Sequence, residues 1–263
     1  MTTVHLTHDR PAGPVRHAAS KVPEVTVYFW IIKVLTTGMG ETASDFLAHW
    51  LGPVPAVGLG GLALVAALTA QFAARRYVAW IYWTAIVAIS VFGTMAADVL
   101  HVGLGVPYAL STPFFMLALA AVFALWHRTE RTLSIHSIHT RRRETFYWAA
   151  VLATFALGTA SGDLTASIGL GYPGSAVLYA AAIAVPAVAH RRGSLNAVTA
   201  FWAAYVLTRP LGASIADWMA VSHHRGGLNL GLGPVTLSWT VAILGFVGYL
   251  AASRKDIPHD LVR

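Results

Sequence analysis

The chain has 263 residues, of which 56% are hydrophobic and only 11% charged, and it has no cysteine. Soluble domains carry about 25% charged residues, so an ordinary soluble fold is excluded, and disulfides and thiolate metal sites go with the missing cysteines. The formal net charge is +7, but its distribution, described below, is that of a membrane topology and not of a nucleic-acid surface.

Residues 1–22 are polar and basic and lack the apolar core of a signal peptide. They are expected to form a disordered cytoplasmic tail. Apolar segments follow at 25–50, 55–73, 78–102, 107–126, 145–168, 173–190, 196–221 and 234–252. Each is near the ~20 residues that cross a hydrocarbon core of ~30 Å. A span in lipid must satisfy its own backbone hydrogen bonds, which selects helices. The expected fold is therefore an all-α integral membrane protein of eight transmembrane helices. Two four-helix halves, 23–126 and 145–252, are joined by a basic loop, 127–144, and followed by a second tail, 253–263.

The basic residues sort by side. Arg75 and Arg76, the cluster Arg128 to Arg143, Arg191 and Arg192, and both tails share one face when eight spans are counted, and Arg225 stands alone on the other. The positive-inside rule puts the basic face and both termini in the cytoplasm. Juxtamembrane arginines there can meet anionic lipid heads. No nucleic-acid partner is needed to explain the charge.

One pattern occurs four times: an aromatic residue, Trp, nine residues, Gly, four residues, Asp. The copies are Phe29-Trp30…Gly40…Asp45, Tyr82-Trp83…Gly93…Asp98, Tyr147-Trp148…Gly158…Asp163 and Phe201-Trp202…Gly212…Asp217. Each lies in an odd-numbered span, and a Gly/Pro step opens each even span, where proline's missing N–H costs nothing. The repeat is read as a helical hairpin of two spans. Four such units run parallel, with pseudo-fourfold or paired pseudo-twofold symmetry about the membrane normal.

Fifteen residues of helix separate each Trp from its Asp by about 22 Å. The Trp falls at the cytoplasmic interface and the Asp in the outer half of the bilayer. The glycines and neighbouring small residues read as packing notches. A notch does not explain the Asp, because an ionisable residue inside a bilayer is costly and points to function.

Asp45, Asp98, Asp163 and Asp217 are the candidate metal ligands, with Glu41 adding charge from four residues earlier on the same face. The equivalents of Glu41 in the second and third copies, Thr94 and Thr159, offer neutral oxygens, and Thr37 extends the polar stripe. His49 and His101, four and three residues after an Asp, are further candidate ligands, and mixed Asp/His donors suit transition metals. Lys33 and Arg209 are the two cations within spans. Five carboxylates exceed them, so a dry site must bind protons or a cation. Pro210 is expected to kink its helix and free a carbonyl for a cation, whereas Arg209 pairing with an Asp of another unit would make it an internal lock.

No phosphate-binding loop, zinc-protease signature or nucleophile elbow is present. Lys33 to Asp45 together with Thr208 to Asp217 resembles an uncharacterised family of bacterial multi-pass membrane proteins with repeated Gly-x4-Asp motifs. The resemblance implies a bacterial inner-membrane protein and no particular activity. The expected function is a cation transporter or channel, with a divalent metal such as Mn²⁺ as cargo and no other cofactor. The alternatives are a non-transporting protein whose Asp residues lock helix packing, and a membrane metal or haem redox protein.

Overall fold

The computed structural model describes residues 20–257. It is helical throughout, with no strand among the described residues. The helices are α1 (Val27–Leu51), α2 (Pro53–Ala73), α3 (Ala79–Asp98), α4 (Tyr108–Glu130), α5 (Arg141–Thr165), α6 (Gly171–Arg191), α7 (Ala197–Ala220) and α8 (Leu232–Ser253). A π-helical turn, Ala166–Leu170, carries α5 into α6 without a break in the helical run, so these eight segments form seven uninterrupted helices. Gly169, at φ 110°, bends that run. Beyond the bend Tyr179 donates back to the Ser161 carbonyl at 2.8 Å, which ties the start of α6 to the end of α5.

Local chemistry sets the helix ends. Thr26, Thr140 and Asn196 cap α1, α5 and α7 by accepting a backbone N–H three residues on, the usual relief for unpaired donors of a first turn. A glycine at positive φ stands at or just before the start of each even helix, namely Gly52, Gly105, Gly171 and Gly231. Only glycine takes that conformation freely. The last of these lies two residues before the Gly233–Pro234 step that marks the turn in the sequence.

The four odd helices form a closed inner ring in which α1 touches α3, α3 touches α5, α5 touches α7 and α7 touches α1. The motif glycines make this ring possible. A Cβ placed on Gly40, Gly93, Gly158 or Gly212 would come within 3.0 Å of Ser90, Phe155, Arg209 or Thr37 respectively. Each of those neighbours stands seven residues after the motif Trp of the next helix, so one close approach is repeated four times in cyclic order.

The tryptophans repeat the cycle at the opposite end. Phe29 packs on Trp83 at 5.7 Å between ring centroids, Tyr82 on Trp148 at 5.5 Å, Tyr147 on Trp202 at 6.1 Å, and Phe201 on Trp30 at 5.6 Å. All four odd helices therefore point the same way. Trp83, Trp148 and Trp202 are buried in this aromatic layer, which makes them packing residues.

The even helices form an outer layer, and here the hairpin expectation needs correction. The main partner of each even helix is the odd helix of the following copy: α2 lies on α3, α4 on α5, α6 on α7 and α8 on α1. Side-chain shape, more than chain connection, decides this. Gly60 of α2 receives Met95 and Phe92 of α3, Gly38 of α1 receives Trp239 of α8, and Thr112 of α4 donates to the Ala160 carbonyl of α5 at 3.1 Å. The outward faces carry exposed Leu62, Val65, Leu117, Val177 and Leu237, an apolar girdle of the kind that meets lipid or a partner.

Five helical segments, Pro53–Ala73, Ala79–His101, Tyr108–Glu130, Arg141–Arg191 and Leu232–Ser253, are long and apolar enough to cross a membrane. The chain has the character of a membrane protein. At the aromatic end the expected tail is partly built in. Its residues 1–19 lie outside the described residues, but Val22 is buried and Lys21 pairs with buried Glu144 at 2.7 Å. The connection between α4 and α5 is shorter than expected, because α4 reaches Glu130 and α5 begins at Arg141. The Leu133 carbonyl within it accepts the Trp202 indole N–H at 2.9 Å.

Candidate acidic site

The close crossing at the four glycines brings the next turn and a half of each odd helix together. A cavity of about 590 Å³ opens there, and Asp45, Asp98, Asp163 and Asp217 all line it. Carboxylate oxygens of Glu41, Asp163 and Asp217 approach within 4.8 Å of one another. Asp217 is only 7% exposed. Among the described residues the side chains of the four aspartates make no hydrogen bond or ion pair. Carboxylates held this close and without donors repel unless a proton or a cation sits between them.

One helical turn deeper lies Arg209, fully buried. Its Nη2 donates to Glu41 at 2.6 Å, to the Thr159 hydroxyl at 2.6 Å and to the Thr94 hydroxyl, and its Nη1 donates to the Thr37 carbonyl at 3.1 Å. Glu41, Thr94 and Thr159 are the residues four before the Asp in the first three copies. A guanidinium from the fourth copy thus fills the ring that these three make.

Several expected roles change accordingly. Thr94 and Thr159 hold Arg209 and do not offer oxygens to a foreign cation. Glu41 lines the cavity but serves as the counter-ion of Arg209, and Arg209 pairs with this Glu and not with an Asp. The Thr37 hydroxyl bonds the Val34 and Thr208 carbonyls at the α1–α7 contact and does not line the cavity. The helix α7 continues through Pro210.

The histidines separate. His49 lines the cavity at its exposed rim, with Nδ1 on the Asp45 carbonyl at 2.7 Å. His101 does not join it. Its two ring nitrogens are taken by the Val106 carbonyl at 2.9 Å and Ser111 Oγ at 3.1 Å, and its ring lies on Tyr108. The π-helical turn Val99–Gly103 after α3 shifts the register on which the His101–Asp98 spacing argument depended.

Lys33 lies deeper still, fully buried, and reaches no carboxylate among the described residues. Its Nζ sits over the rings of Phe155 and Tyr205 at 4.2 and 4.3 Å and has no hydrogen-bond partner.

Met95, Tyr108, Tyr172 and Arg225 also line the acidic cavity and were not singled out as site residues. Arg225 donates to the Tyr172 hydroxyl at 2.6 Å. Its signal was present in the sequence, since it is the one basic residue on the outer face. Tyr108 and Tyr172 had a weaker signal in their place at the Gly/Pro turns.

No curated protein and no solved structure matches the chain. Four segments, 28–77, 81–132, 146–193 and 200–256, match a repeat family, and each takes in one odd helix and the even helix after it. Together they cover most of the chain, which therefore belongs to the family described as Repeat of Unknown Function (DUF347).

Proposed function

We propose that this protein is a cation carrier of the bacterial inner membrane, with eight membrane-crossing helices, its ring axis along the membrane normal and both termini cytoplasmic. The single observation that carries the reading is the convergence of four aspartates, one per repeat, on one cavity in which none of them has a hydrogen-bond or ion-pair partner among the described residues. Buried structural carboxylates find donors, as Glu41 does, whereas buried Asp217 and the three half-buried aspartates beside it have none among the described residues and are available to a ligand.

A carrier fits better than a channel. Below the aspartates the axis is occupied by Arg209, then Lys33, then the aromatic layer, so access is from one end in this state. The donors are carboxylate oxygens, which favour hard cations with oxygen coordination such as Mg²⁺, Ca²⁺ or Mn²⁺. With His101 engaged elsewhere, the case for softer transition metals narrows to His49. A divalent ion of the Mn²⁺ kind is the first cargo to test. Basic loops at the aromatic end would contact anionic lipid.

The Arg209 network favours a second role for part of the site. Glu41, Thr94 and Thr159 act as a lock on helix packing, one turn below the aspartates. Lock and ligand-binding ring are then separate layers of the same axis.

The test is titration of Mn²⁺ into purified protein in detergent, wild type beside Asp45→Asn, Asp98→Asn, Asp163→Asn and Asp217→Asn, followed by flux into proteoliposomes. Stoichiometric binding lost in each variant, with unfolding temperatures maintained, is the expected result. A wild type that neither binds nor transports, with variants that only melt earlier, would overturn the proposal in favour of a purely structural acidic layer.

A further inference from the structure

The most unusual buried group outside the acidic cavity is Lys33. Its Nζ is shut off from solvent and meets two ring faces, with no hydrogen-bond acceptor and no carboxylate among the described residues. Arg209 leans on the same Phe155 ring, with Cζ 5.4 Å from the centroid. Two basic side chains therefore share one aromatic ring. Ring faces attract a cation but replace only a fraction of its lost hydration. Of the two, Arg209 is permanently charged and is balanced by Glu41. Lys33 is balanced by nothing and can give up a proton.

We propose that Lys33 is a second, proton-binding site, and that entry of a cation at the four aspartates expels its proton, making the protein a cation/proton exchanger. The inference rests on the cation-carrier reading given above. In the step a divalent ion enters the acidic cavity, the Lys33 ammonium loses one N–H proton to become a neutral amine, and that proton leaves. The charge gained by the axis is reduced by one.

The groups around Lys33 suit this exchange. From α7 come Arg209 and Tyr205, from α5 Phe155 and, one layer down, Tyr147, and from α3 Tyr82. Its own helix contributes Glu41, two turns on and engaged with Arg209. The helices α2 and α8 also touch α1, but the only titratable side chain they bring is Tyr249, held by Lys255. No carboxylate is left free to fix the ammonium. Phenols continue from Lys33 towards the aromatic end. Tyr205 lies against the amine, Tyr82 and Tyr147 share a 2.5 Å hydroxyl contact, Tyr77 packs on Tyr82 at 5.7 Å, and the Tyr77 hydroxyl meets Asp256 at 2.5 Å.

The experiment adds Mn²⁺ to detergent-solubilised full-length protein in weak buffer and counts protons released per ion bound with a pH indicator. Lys33→Met is permanently neutral and Lys33→Arg permanently charged. Both are expected to release one proton fewer per ion than wild type. Affinity should move in opposite directions, tighter in Lys33→Met and weaker in Lys33→Arg, which a merely structural lysine would not produce. Should Lys33→Met fail to fold, Lys33→Arg keeps volume and charge and carries the proton count alone. Binding with the wild-type proton count in the variants would overturn the inference and leave the carrier reading standing. Absence of Mn²⁺ binding in wild type would overturn both.

Discussion

Arg209 on α7 donates to Glu41 on α1 at 2.6 Å, in a layer where both side chains are buried. Removing one partner strands the other. Arg209→Met should therefore destabilise the protein by about 3–5 kcal/mol, read as a lower unfolding temperature in detergent. Glu41→Gln added to Arg209→Met should recover most of the loss. A double variant as weak as the single one would show that the two are not coupled.

The glycine crossings predict a contrast between two alanine substitutions. A Cβ on Gly212 would strike Thr37 and lie 2.9 Å from the Val34 carbonyl, which is backbone and cannot swing aside. Gly212→Ala should cost about 1–3 kcal/mol, as overpacking does. Gly58 on α2 has nothing within 4 Å. Gly58→Ala should be neutral or stabilise by up to about 1 kcal/mol through helix propensity. Thermal unfolding of the two variants side by side checks this.

His101 separates ligand from scaffold. Its nitrogens are engaged by Val106 in the connection between α3 and α4 and by Ser111 on α4. His101→Ala should loosen that connection, seen as faster amide exchange around Val106, and leave Mn²⁺ affinity unchanged within about twofold, well inside the tenfold step that 1.4 kcal/mol represents. A loss as large as that of Asp98→Asn would place His101 among the ligands after all.

Asp256 predicts a pH dependence at the aromatic end. Burial pushes its carboxyl above the ordinary 3.8, and the hydrogen bond from Tyr77 pulls it part of the way back. The folded chain therefore holds this proton more tightly than the unfolded chain. The contribution to stability is greatest below 3.8, falls as pH rises from there through the raised value, and is level above it. Unfolding temperature measured against pH should show this decline, and Asp256→Asn should remove that part of the slope.

Legibility in the sequence followed the range of the interactions. Helix positions, the turn glycines and the four aspartates rest on local rules, namely hydrophobic length, capping and a fixed spacing on one helix, and they could be read in order. The spacing also put Glu41, Thr94 and Thr159 at equivalent positions. What they hold was not readable, because Arg209 comes from another helix, 168 residues from Glu41. His101 was misread because its spacing argument assumes α-helix, and the chain takes a π-helical turn there. The partner of each even helix was not readable from connection, because Gly60 of α2 takes Met95 of α3, Gly38 of α1 takes Trp239 of α8, and Thr112 of α4 donates to the Ala160 carbonyl of α5.

By itself the sequence determined that this is a helical membrane protein with a fourfold internal repeat and one acid per repeat, since composition and periodicity act along a single chain. Only the tertiary structure decided that the four acids share a cavity, that a buried arginine occupies the layer beneath them, and that Lys33 is left without a counter-charge. Those three facts depend on how closely the four helices cross, and the helices cross closely because a glycine in each makes room for a side chain of the next.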